Sequence, residues 1–210
     1  MDVLQIEKKV LGMVRTNCYL LIHKQRLEAI LVDPPSDAEE IIRWLTDLQV
    51  TPVGILLTHG HFDHIGAVSD LVGHYQIPVY AGKDEADILA TPALNLSGQF
   101  GQQMVAKATN LCEDKEVFTL ASIEFTALHT PGHTKGGMCY YIAAEKVLIS
   151  GDTLFCENIG RTDFPTGNMA ELVNSIKCLC DTLPAEVTVY PGHEEETTIG
   201  NEKRNNPYYH

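Results

Sequence analysis

A chain of 210 residues, 44% hydrophobic and 20% charged, suits one domain with a large core and excludes the disordered and collagen-like classes. Fifteen Lys and Arg against 28 Asp and Glu leave a net charge of -13, a poor match for a phosphate backbone, so nucleic acid is not the expected partner. No apolar stretch approaches a membrane span, and residues 1–10 carry Asp2, Glu7, Lys8 and Lys9 where a signal peptide has its apolar core, so a cytoplasmic protein is expected, with reduced thiols at its six cysteines.

The first third of the chain reads as strands. Residues 11–22 and 27–33 are apolar runs separated by the polar Lys24-Gln25-Arg26 and stopped by Pro34-Pro35. The period then changes. Ile41, Ile42, Leu45 and Leu48 share a helical face, which predicts a helix over 37–48 with Ser36 as its N-cap. Residues 53–57 read as a buried strand, 65–75 as a helix and 78–80 as a short strand. Residues 83–110 begin as a helix over 83–90 and continue as either a mobile flap or a surface loop. Strand patterns return over 116–120, 122–128, 138–143 and 146–149. A helix with Leu172, Val173, Ile176 and Leu179 on one face covers 169–183, and a strand follows over 187–190. There is no repeat, low-complexity tract or linker. Two strand-rich blocks, each followed by helix and strand, predict a single α/β domain over 1–210 with helices outside paired sheets.

The sharpest motif is Thr58-His59-Gly60-His61-Phe62-Asp63-His64. Imidazole suits zinc, iron and manganese, and a carboxylate can complete the shell. His59 and His61 follow a strand, where alternate residues point the same way. Asp63 and His64 fall where the next helix begins and can face a second point, so one loop can serve two metals. Three further strand ends carry a donor beside a glycine: His133 after Gly132, Asp152 after Gly151 and His193 after Gly192. Together they predict one rim on which loops converge. His23, His74 and His210 lack such context, and His129 points to the other face of its extended segment.

These residues resemble the metallo-β-lactamase superfamily, whose signature H-x-H-x-D-H is followed by a distant His, an Asp and a final His. The match is His59, His61, Asp63, His64, His133, Asp152 and His193. The resemblance implies an αββα four-layer sandwich with metals at one edge of two packed sheets. It further implies that His59, His61 and His133 hold one divalent ion, Asp63, His64 and His193 hold a second, and Asp152 bridges them. Zinc is the first choice, with iron or manganese as alternatives. Gly151-Asp152-Thr153-Leu154-Phe155, then Gly160-Arg161-Thr162-Asp163-Phe164-Pro165, then Tyr190-Pro191-Gly192-His193 look like the short bacterial glyoxalase II-like hydrolases. The activity implied is hydrolysis of a small-molecule thioester such as S-lactoylglutathione, with Asp63 and Asp152 in the catalytic centre. Full-length glyoxalase II enzymes carry a C-terminal helical region with basic contacts to glutathione, and this chain is expected to lack it. Arg161 is the candidate contact to a substrate carboxylate, with an ion pair to Asp163 as its alternative role.

Two other readings stay open at this stage. Persulfide dioxygenases resemble the same pattern and use one iron held by the equivalents of His59, His133 and Asp152. A non-catalytic metal-binding scaffold is the second. Oligomeric state has no mark in the sequence.

Overall fold

The computed structural model describes residues 3–210. The first half contains β1 (Leu4–Leu11), β2 (Thr16–His23), β3 (Glu28–Val32), α1 (Ala38–Asp47), β4 (Thr51–Leu56), α2 (Phe62–Ile65), α3 (Val68–Tyr75), β5 (Val79–Gly82), α4 (Ala86–Ala90) and β6 (Asn110–Cys112). These strands form a sheet in the order β1-β2-β3-β4-β5-β6, antiparallel from β1 to β3 and parallel from β3 onward.

The second half contains β7 (Val117–Leu120), β8 (Ile123–His129), β9 (Met138–Ile142), β10 (Val147–Gly151), β11 (Leu154–Phe155), β12 (Asn158–Ile159), α5 (Met169–Thr182), β13 (Thr188–Pro191), β14 (Thr197–Thr198) and α6 (Ile199–Asn205). Its sheet runs β14-β13-β10-β9-β8-β7, and β11 pairs with β12 as a separate hairpin.

Alternation along the strands builds the layers. In β2, Cys18, Leu20 and Ile22 face one cluster with Ile41, Trp44 and Leu45 of α1 and Val68 and Leu71 of α3. Tyr19 and Leu21 point the other way, into a cluster shared with Phe125, Ala127, Tyr140 and Ile149 of the second sheet. The outer face of that sheet, with Cys139, Leu148 and Val189, packs on Leu172, Ile176 and Leu179 of α5 and Ile199 of α6. The layers are therefore helix, sheet, sheet, helix, as the resemblance implied. Both faces of each central strand are covered, which is why β2 and β3 read as unbroken apolar runs. Each fully buried Leu or Ile contributes roughly 1.5–3 kcal/mol.

Three local expectations are corrected. Residues 11–22 hold the end of β1, a turn and most of β2, because Gly12 (φ 74°) and Arg15 (φ 63°) turn the chain between the two strands. β1 itself mixes Gln5, Glu7, Lys8 and Lys9 with its apolar residues at a sheet edge, so it leaves no strong apolar pattern. Ser36 does not cap α1: its hydroxyl donates to the Asp37 carboxylate (2.8 Å), and Asp37 occupies the cap in a left-handed conformation. The helix expected over 65–75 starts later, as α3 at Val68; Ile65 instead ends the separate turn α2, and the Ala67 amide binds Pro34 O (3.1 Å) at the break. At α5 and α6 capping follows the usual chemistry: Asn168 Oδ1 accepts from the Ala170 and Glu171 amides, and the Thr198 hydroxyl from the Asn201 amide.

Topology places the donors. β3 and β4 are parallel, and so are β10 and β13. β8 is antiparallel to β9, which is antiparallel to β10, so β8 shares the direction of β10. Asp33, Thr58, His133, Asp152 and His193 all follow the C-terminal ends of these strands and gather at one edge of the sandwich.

Candidate metal centre

His59 lies in the loop after β4, and His61 is the N-terminal flanking residue of α2, with Asp63 and His64 in its single turn. His133 lies between β8 and β9, Asp152 just after β10, and His193 just after β13. The structure brings all seven together. Donor atoms of His59, His61 and His133 lie within 4.8 Å of one another, as do those of Asp63, His64 and His193, and those of His59, His64 and Asp152. Asp152 faces both trios: Oδ1 is 3.5 Å from His64 Nε2, and Oδ2 is 3.6 Å from both His133 Nε2 and His193 Nε2.

The proton inventory shows that a cation fits. Thr58 Oγ1 donates to Asp33 Oδ2 (2.6 Å), so it accepts from His59 Nδ1 (3.1 Å), leaving a lone pair on His59 Nε2. His133 Nδ1 donates to Arg161 O (2.7 Å), leaving a lone pair on its Nε2. Those two bare nitrogens are 3.2 Å apart, and His61 Nδ1 is 2.9 Å from His133 Nε2. Lone pairs converging this closely repel unless a cation lies among them. His64 repeats the pattern, since its Nδ1 donates to Asp33 Oδ2 (3.0 Å) and its Nε2 is buried without a partner. Asp152 Oδ1 is a second such orphan, and leaving buried groups of this kind unpaired is costly. His61 Nε2 is the third.

The electrostatics agree. Burial, and then the neighbouring histidines, hold His59 and His61 well below the ordinary imidazole value, so both present neutral ligands. His64 is pushed up to about 10: burial opposes the shift, and Asp63, Asp152 and Asp33 overcome it. Burial also opposes ionisation of Asp63, but His64 and His193 hold its carboxyl well below the usual range. The pocket calls for positive charge, which a divalent ion supplies while displacing protons.

Two glycines make room. Gly151 has φ 49°, and a Cβ there would strike the Thr58 side chain. A Cβ on Gly192 would strike Asp152 Oδ1 and lie 2.7 Å from His64 Cε1.

Supporting residues that sequence reasoning did not assign form an outer layer. Asp33 ties His64 directly and His59 through Thr58, and its position just after an apolar strand matches that of Asp152. Thr16 Oγ1 donates to Asp63 Oδ2 (3.2 Å). Glu85, fully buried, accepts from the Gly60 amide (2.9 Å), the Gly136 amide (3.1 Å) and the Thr134 hydroxyl, so it joins the loops that carry His59, His61 and His133. Burial raises its carboxyl to about 7 against those hydrogen bonds. Nothing near Glu85 in the chain marks this role.

The centre opens into a cavity of about 570 Å³ with walls that include Phe62, Leu96, Phe100, Phe155, Ile159 and Phe164. Residues 91–109 therefore form a docked wall: Asn95 O accepts from the Phe62 amide (2.8 Å), and the Asn95 side chain donates to Met104 O (2.8 Å). Arg161 also lines the cavity. Its Nε and Nη2 engage both oxygens of Asp163 (2.9 and 2.7 Å), and its guanidinium stacks 4.2 Å from the Phe164 ring centroid. His129 binds Lys135 O through Nε2 (2.9 Å) and joins neither trio.

The model of the metallo-beta-lactamase superfamily matches residues 11–193. A probable metallo-hydrolase of Streptococcus pyogenes is 39% identical, over 99% of this chain and 91% of its own. The hydroxyacylglutathione hydrolase GloC of Haemophilus influenzae is 33% identical, over 91% of this chain and 92% of its own. Among solved structures, the BLEG-1 B3 metallo-beta-lactamase superposes with a TM-score of 0.92 at 41% identity, covering 98% of this chain and 99% of that one. TTHA1623, solved in a di-iron-bound form, gives 0.84 at 32% identity, covering 96% and 99%.

Proposed function

The chain belongs to the metallo-beta-lactamase superfamily, and from that premise we propose that it is a binuclear metal-dependent hydrolase of small-molecule thioesters, of the hydroxyacylglutathione hydrolase type. The observation that carries the reading is the pair of donor trios flanking Asp152 beside a cavity with aromatic walls. His59, His61 and His133 would hold one divalent ion, Asp63, His64 and His193 the other, and Asp152 both. Zinc is the first choice, with iron or manganese as alternatives, and a di-iron form is known for one similar structure. Bound ions of this kind supply an acidified water and a positive charge for a developing oxyanion, which hydrolysis at neutral pH requires.

The chain's own residues do the rest. Thr16 Oγ1 donates to Asp63 Oδ2 (3.2 Å), which suits an ionised ligand rather than a proton carrier. Asp33 and Arg161 O hold the imidazoles in the tautomers that expose lone pairs to the centre. The aromatic walls keep bulk water from the acyl group and favour an apolar or small acyl chain. A thiolate leaves without a dedicated acid, because it is a stable anion at neutral pH. Arg161 can meet a substrate carboxylate by exchanging Asp163 for it, a minor contribution beside the metals.

Metal analysis of protein purified without added metal or chelator tests the reading together with hydrolysis of S-lactoylglutathione. About two ions per chain and thioesterase turnover are expected. About one iron per chain, with oxygen uptake on glutathione persulfide and no hydrolysis, would replace it with the dioxygenase reading.

A further inference from the structure

Next to the aromatic-walled cavity lies a second groove of about 470 Å³, lined by Val10, Val14, Arg15, Asn17, His193 and Glu194. The two spaces share Val14, His193 and Glu194, so a molecule seated over the metal ligands can extend from one into the other. The groove is of a size that takes an amino-acid or dipeptide group.

Its position relative to the centre is set by neighbours of Arg15. Thr16, the next residue, touches Asp63. The Asn17 amide donates to Gly192 O (2.7 Å), and the Asn17 side chain donates to Pro191 O (2.9 Å) and Glu194 O (3.0 Å). The turn holding Arg15 and the loop holding Glu194 are thus pinned to each other beside His193, on the side of the second trio.

Charge then separates this groove from the rest of the rim. Lys8 is paired with Glu196 (2.6 Å), Lys9 with Glu40 (3.2 Å), and Arg161 with Asp163 (2.7 Å). Arg15 is exposed and has no ion pair among the described residues, and it makes none with Glu194 across the groove. A free guanidinium and a free carboxylate therefore line one groove without neutralising each other. A bare dianion would meet Glu194 unfavourably, and a cation would meet Arg15. A group carrying one charge of each sign satisfies both.

We propose that this groove is the subsite for a zwitterionic amino-acid end on the thiol half of the substrate, with Arg15 taking the carboxylate and Glu194 the ammonium. The proposal rests on the thioesterase reading for the word substrate, but binding can be measured without turnover. The probe is S-methylglutathione, a thioether with an amino-acid end and no bond to hydrolyse, titrated calorimetrically into metal-loaded protein. Arg15→Ala is expected to raise its Kd about tenfold, and Arg15→Lys, which keeps the charge and loses the fork, by less. Glu194→Gln is expected to weaken S-methylglutathione, but not its N-acetylated form, which has lost the ammonium.

Failure of S-methylglutathione to bind the wild type, or equal affinity for wild type and Arg15→Ala, overturns the subsite. Arg15-dependent binding in a protein that does not hydrolyse S-lactoylglutathione supports the subsite and overturns the thioesterase reading instead. On the reaction itself, Arg15→Ala is expected to lose about tenfold in kcat/KM on S-lactoylglutathione relative to the uncharged S-lactoyl thioester of N-acetylcysteamine. An equal change on both thioesters would count against the assignment.

Discussion

The two donor trios share Asp152 yet are built differently. His59, His61 and His133 are 2%, 2% and 5% exposed, and the outward nitrogens of His59 and His133 are held by Thr58 and Arg161 O. In the second trio only His64 is sealed, by Asp33, while the side chains of Asp63 and His193 are 14% and 21% exposed. The first trio is the more deeply buried and more fully oriented, although His61 and His133 reach the cavity wall, while Asp63 and His193 of the second trio are the more exposed there. A site that must keep its metal and still admit substrate separates those demands in this way, because ligand orientation costs entropy wherever the fold has not already supplied it.

The largest predicted effect removes what the trios share. Asp152→Ala should empty both positions and lower kcat/KM about a thousandfold or more, since the electrostatic contribution of the ions amounts to several kcal/mol. Metal analysis and steady-state kinetics on the same preparation check it, and full metal with full rate would defeat the bridging role.

Single-trio substitutions should separate the halves. His133→Ala is expected to cost about a hundredfold or more in rate together with the tightly held ion, whereas His193→Ala should leave about one ion per chain. In the wild type, a chelator titration should then release metal in two steps, the second trio first. Release in one step would show that the difference in burial has no consequence for affinity.

Asp33→Asn tests the outer layer, because Asp33 reaches His64 directly and His59 through Thr58. Metal affinity should fall about 10–100-fold. Loss confined to the second trio would sharpen the comparison, since it would mean that Thr58 alone suffices for His59.

The smallest effect concerns Glu85, which braces only the loops of the first trio. Its carboxyl is raised from 4.5 to about 7, so the folded protein holds a proton that the unfolded chain releases between those values. Stability contributed there is present at low pH and falls as pH rises through that window. Glu85→Gln lacks this titration. It should be less stable than wild type near pH 5, with the gap narrowing by on the order of 2 kcal/mol toward pH 8. Urea unfolding at the two pH values measures it, and parallel pH slopes for both proteins would remove Glu85 from the account.

Legibility in the sequence followed chain distance. The run from His59 to His64 stands out because its donors are local, and His133, Asp152 and His193 stand out because each sits beside a glycine after an apolar strand. The central strands were legible because they are covered on both faces. β1 was not, since an edge strand with Glu7, Lys8 and Lys9 has no apolar rhythm. Neither was α6, whose last turn is Lys203 and Arg204 and whose cap is Thr198. Residues 91–109 carried no period at all, yet the Asn95 and Ala106 hydrogen bonds make them a wall of the cavity.

What the sequence by itself determined was the donor set, the strand ends that carry it and the apolar faces that stack four layers. Composition and periodicity report local burial, and those features are local. Only the tertiary structure decided that Asp33 and Glu85 support the centre, that one trio is more deeply buried than the other, and that Arg15 is left to face the groove. Each of these depends on distances of a few ångströms between residues tens of positions apart, and neither hydrogen bonding nor Coulomb attraction leaves a trace in the chain until folding sets those distances.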